Sequence, residues 1–178
     1  METKIQWKWV IGASVLFLLF LIFILPRVSA YSSETIGKSE SPDQSFLYSG
    51  SQLYELAESY GESGRKTYIL LRWTFDLVWP IVYTLFLVAW TIKLMEYASD
   101  NRRMRFLVFV PIAAAFFDFS ENIGATIVML RYPLKSGIIQ TITPVATGIK
   151  WITISLSFLL LLLLIIKIIG SKIKRIKD

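Results

Sequence analysis

The chain has 178 residues, 54% of them hydrophobic and 15% aromatic, with a mean hydropathy of +0.56, which places it outside the usual balance of soluble domains and in the membrane class. It contains neither Cys nor His, so disulfides, thiolate nucleophiles, Cys- or His-based metal sites and imidazole acid–base chemistry are excluded together. The net charge of +6 comes from short basic clusters flanking apolar runs rather than from a continuous stripe, which argues for membrane topology and against nucleic acid.

The first apolar run, residues 9–25, follows Lys4 and Lys8 and is predicted to cross the membrane. A cleaved signal peptide is the rival reading, with Val28-Ser29-Ala30 as a small-residue site after Pro26. Against it, the run exceeds the roughly 7–15 residues of a signal core, and Arg27 adjoins the site. Retention is the expectation; cleavage would leave three spans in the same orientation.

The following loop, 27–67, divides in two. Residues 31–45 (YSSETIGKSESPDQS) are polar and Ser-rich, the composition of a flexible strap. Residues 50–62 are predicted to form a short amphipathic helix. Ser49 and Gln52 fit a capping box, Leu53, Leu56, Ala57 and Tyr60 share one face, and Gly61 and Gly64 supply stops.

Three further spans are expected at 68–92, 106–130 and 142–169, followed by a basic tail at 170–178. Lys4 and Lys8, the 93–105 connection and the segment from Lys167 onward hold eleven of the nineteen basic residues, all on one side of a four-span bundle. That side is cytoplasmic by the positive-inside rule, and loop 27–67, with four basic and six acidic residues, lies outside. The predicted fold is thus an all-α integral membrane protein. It is a four-transmembrane-helix bundle with both termini cytoplasmic and an amphipathic helix in the outer loop. Its size and lack of His and Cys fit a multi-pass protein of a prokaryotic plasma membrane.

The third span carries Asp118, Glu121 and Asn122 on one helix face, in a setting where even the lenient insertion scale charges about 2.5–3.5 kcal/mol for an ionised residue. Such groups are expected to face protein or water and to have partners. The second span offers Arg72 and Asp76, with Trp79, Pro80 and Tyr83 beyond them, and the fourth offers Thr147, Lys150 and Thr153 at three-residue steps. At about 1.5 Å per residue, the acidic groups, Asn122 and Lys150 fall roughly 18–28 Å from the cytoplasmic ends of their spans, in the outer half of the membrane.

A polar chamber between the second, third and fourth spans is therefore predicted. Its candidate ligand-binding residues are Arg72, Asp76, Tyr83, Asp118, Glu121, Asn122, Thr147, Lys150 and Thr153. Three carboxyls against two cations leave one acidic group in excess, suited to a cation, a proton or the head of a small amphiphile or lipid. Nearby Trp and Tyr faces suit an organic cation or a positive lipid head. This is a transporter-like, receptor-like or accessory role, with the lipid bilayer as partner and a homo-oligomer or larger membrane complex as its setting. An enzyme acting on a lipid-like substrate is an alternative that would draw on Asp76, Asp118, Glu121 and Lys150. So is a purely structural protein in which the network only fixes helix packing. No GxSxG, HExxH or phosphate-binding Gly loop is present, and no cofactor or metal is implied.

Overall fold

Four helices are long and apolar enough to cross a membrane: Trp7–Ile36, Gly61–Ala98, Met104–Arg131 and Gly137–Lys174. The computed structural model describes residues 5–36, 42, 46–98 and 102–177, and among these there are no strands. The protein is an all-helical, multi-pass membrane protein. Lys4 and the side chains of Arg102, Arg103, Arg175 and Lys177, which the charge count includes, lie outside the described residues.

The first span begins as α1 (Trp7–Leu19), passes through a π-helical turn (Phe20–Ile24) and continues as α2 (Leu25–Ile36). Residues 31–36, expected to open a flexible strap, are helical instead. The physical reason is local: the Ser33 and Thr35 hydroxyls donate to the carbonyls of Ser29 and Tyr31, at 2.9 and 2.7 Å, so polar side chains are satisfied without ending the helix. Of the remaining strap, residues 37–41 and 43–45 lie outside the described residues.

Helix α3 (Gly50–Ser59) starts at the capping box: the Ser49 hydroxyl accepts from the Gln52 amide at 3.2 Å and the Gln52 side chain accepts from the Ser49 amide at 2.7 Å. Its apolar face is not spread on a membrane surface. Leu53 and Ala57 are fully buried and share a cluster with Tyr68, Ala125, Val128 and Met129, so the helix caps one end of the bundle. Gly61, at φ +61°, makes the left-handed turn that separates α3 from α4 (Gly61–Arg72).

A break at Trp73-Thr74 joins α4 to α5 (Phe75–Ala98) within the second span. There the Thr74 hydroxyl donates back to the Leu70 carbonyl at 2.7 Å, a contact that bends helices. A 3₁₀ segment (Arg102–Val108) leads into α6 (Phe109–Arg131), and α7 (Gly137–Lys177) completes the bundle.

Each proline inside a span removes one helical hydrogen bond and leaves a carbonyl to be placed four residues earlier. Pro111 lies in the first turn of α6, where the missing N–H would have had no helical partner anyway. Pro144 frees the carbonyl of Gln140, and against that carbonyl lies Gly50, where any side chain would collide. Pro80 frees the carbonyl of Asp76, whose new donor comes from another helix, as described below.

The spans are closest at the crossing of α6 and α7, where Gly124 faces Thr143 so tightly that an added Cβ would overlap the threonine hydroxyl. Replacing Gly124 with Val is expected to destabilise the bundle by about 1–3 kcal/mol through overpacking. Chemical unfolding of purified protein in bicelles measures this, and Gly12→Val, at a position with open space around it, is the control.

Candidate functional site

Asn122 makes two of the polar bonds that join the second and third spans. The Asn122 side-chain amide donates to the Asp76 carbonyl at 3.0 Å, the acceptor that Pro80 left without its helical donor. Its oxygen accepts from Arg72 at 3.0 Å. Arg72 in turn pairs with Asp76 across the α4–α5 break, at 3.2 Å, and donates to the Tyr68 hydroxyl at 2.6 Å while stacking on that ring. A guanidinium only 2% exposed is thereby held by a carboxylate, an amide and a phenol, which is what burial of a charge demands.

The third and fourth spans are joined by an ion pair. Lys150 lies 2.5 Å from Glu121 and 4.0 Å from Asp118. The Glu121 contact lacks hydrogen-bonding geometry, so the pairing is ionic, and the glutamate, 0% exposed, keeps a second oxygen with no hydrogen-bond partner. Asp118 closes the triangle by accepting from the Tyr83 hydroxyl of α5 at 3.0 Å. Two polar clusters result, Arg72, Asp76 and Asn122 with Tyr68, and Lys150, Glu121 and Asp118 with Tyr83, and they adjoin on α6 at the neighbouring residues Glu121 and Asn122.

Beside the network lies a cavity of about 720 Å³. Arg72, Asp76, Tyr83, Asp118 and Lys150 form part of its wall, whereas Glu121 and Asn122 stand behind that wall and do not line it. Two candidates are elsewhere. The Thr147 hydroxyl lies 3.1 Å from the Tyr48 hydroxyl and from the Thr143 carbonyl, and the Thr153 hydroxyl lies 2.8 Å from the carbonyls of Ile149 and Lys150 in its own helix. A threonine in a helix satisfies itself this way, so polar periodicity on α7 does not by itself mark a chamber.

Sequence reasoning missed the fourth wall. Phe17, Leu21, Leu25, Val28, Ser29 and Ser32 of the first span line the cavity, on one helical face that ends in two serines. Phe17 lies on α1, which is apolar all round and so shows no face, whereas Val28, Ser29 and Ser32 of α2 lie in a segment expected to leave the membrane. The helix is held to the second span by aromatic stacking. Phe17 stacks on Phe86 and Trp79 at 4.3 and 5.6 Å, and Phe20 on Phe75 and Trp79 at 6.4 and 6.2 Å.

At the other end Trp90 donates to Ser14 at 2.9 Å, and Lys93 and Glu96 bond the backbone carbonyl and amide of Ile5 at 3.0 and 2.6 Å. No comparably close packing joins the first span to the fourth, and the cavity lies between them.

The wall is two-sided in character. Toward Tyr68, Arg72 and Ser32 it is polar; toward Phe17, Phe158 and Ile154 it is apolar. The three carboxylates do not converge on a metal-sized point, and among the described residues no group of three potential ligands could hold a metal ion.

Lys150→Met is expected to cost about 3–5 kcal/mol because it strands Glu121 as a buried, unpaired charge. Adding Glu121→Gln should recover most of that loss, and Thr153→Val should be nearly neutral. A double-mutant cycle in bicelles reads all three.

No family model, curated protein or solved structure matches this chain, which leaves the geometry of the chamber and its network to speak for function.

Proposed function

We propose that the protein binds a small amphiphile or lipid within the membrane, its head at the Arg72, Asp76, Asp118 and Lys150 end of the cavity and its chain against the first span. The observation that carries this reading is the cavity itself, at about 720 Å³. Pockets for small molecules run to about 300–1,000 Å³, are mostly apolar and carry a few placed polar groups. The composition of this wall fits that description. The role is receptor-like, transporter-like or that of an accessory subunit, and the loose packing between the first and fourth spans supports entry from the lipid side.

One observation favours a second reading, in which the network only fixes helix register: Arg72 and Lys150 each face a carboxylate, and Asn122 satisfies a proline-freed carbonyl. Filling the cavity separates the two. Under the binding reading, Leu25→Trp abolishes the thermal stabilisation that added amphiphiles give the purified protein and removes co-purifying lipid from its native mass spectrum. Stabilisation by Leu25→Trp, with no amphiphile affecting the wild type, would instead favour the structural reading.

The basic clusters support both termini in the cytoplasm and α3 outside, and the compact size and lack of His and Cys fit the plasma membrane of a prokaryote. With no native Cys, single cysteines report sidedness cleanly. In intact cells, Cys at Glu58 is expected to react with an impermeant maleimide and Cys at Ser171 to be protected until the cells are lysed. The reverse pattern inverts the topology.

A further inference from the structure

We infer that the ligand's head is a cation, an ammonium or comparable organic group carried on an apolar tail; this rests on the amphiphile reading above and specifies its chemistry. Four charged side chains form part of the cavity wall, and they are not equally accessible. Side-chain exposure is 2% for Arg72, 5% for Lys150 and 9% for Asp118, against 17% for Asp76. Asp76 is thus the most open of the four charged side chains that a head entering the chamber meets.

The pairing inside the network points the same way. Arg72 is engaged by Asp76, Asn122 and Tyr68, and Lys150 sits against Glu121 at 2.5 Å. Asp118 is the third carboxylate against two cations, with Lys150 at 4.0 Å and one phenol at 3.0 Å. A positive head beside it would bring the charges of the site to balance. An anionic head would add a fourth negative charge in a low-dielectric setting, where like charges repel strongly.

Trp79 stands edge-on to Tyr83 at 5.9 Å between centroids, and Trp79, Tyr83 and Trp151 all line the same space. Trp79 is already stacked by Phe17, Phe20 and Phe75, and Trp151 by Phe46 with the Lys150 ammonium over its ring, so these rings act as apolar lining and the preference for a positive head rests on the carboxylates.

The test uses the full chain in nanodiscs of an uncharged galactolipid. Photoreactive dodecyl probes with trimethylammonium, sulfate or maltoside heads are cross-linked, and labelled segments are identified by mass spectrometry. The ammonium probe is expected to label the cavity-lining parts of α1, α2 and α7 roughly tenfold more efficiently than either other probe. Asp118→Asn should remove that preference and keep maltoside labelling.

Equal or better labelling by the sulfate or maltoside probe overturns the cationic head and leaves the amphiphile cavity standing. Absence of cavity labelling by every probe overturns both. The comparison among heads is made on the wild-type chain, so it decides the matter even where Asp118→Asn fails to assemble.

Discussion

A peptide group inside a membrane must find its hydrogen bond within the protein, and in this bundle that constraint is concentrated at Asn122. Pro80 gives the second span a carbonyl with no helical donor, at Asp76, and the amide of Asn122 supplies one from the neighbouring helix. The same side chain presents its oxygen to Arg72. One amide thus fixes the rotation and the height of α6 against α4 and α5, since a slip in either direction would leave a carbonyl and part of a guanidinium unsatisfied together.

The ionic groups follow from that alignment. With α6 set by Asn122, Glu121 and Asp118 come to face α7 and α5, where Lys150 and Tyr83 meet them. Close approach of α6 and α7 at Gly124 and Thr143 lets the lysine reach a glutamate from which solvent is excluded. Desolvation offsets much of the Coulombic attraction of such a buried pair. What remains exposed is the cavity-side edge of the network, carried mainly by Asp76 and Asp118.

The first span relates differently to the rest. It shares no charge pair across the membrane interior with the other helices; it is held by stacked rings and, near Ile5, by Lys93 and Glu96. Dispersion between ring faces is less directional than a hydrogen-bonded ion pair, so this wall is the more compliant one. Rigid polar contacts on three spans and a softer apolar contact on the fourth would suit the amphiphile site proposed above.

The helical class and the four membrane crossings were legible from composition and from the length of the apolar runs, because the thickness of a bilayer imposes the same demand on any chain that spans it. The capping box at Ser49 and Gln52 was legible for a local reason, its two bonds lying within one turn. Rare polar residues on the second, third and fourth spans could be recognised as partners in advance, since isolated they would be too costly to keep. Only the tertiary structure decided which of them meet. It put Asn122 on the carbonyl freed by Pro80, Lys150 on Glu121, and Thr147 and Thr153 outside the chamber, and it brought the first span in as a wall, because these depend on helix rotation and crossing, which no periodicity within a single segment encodes.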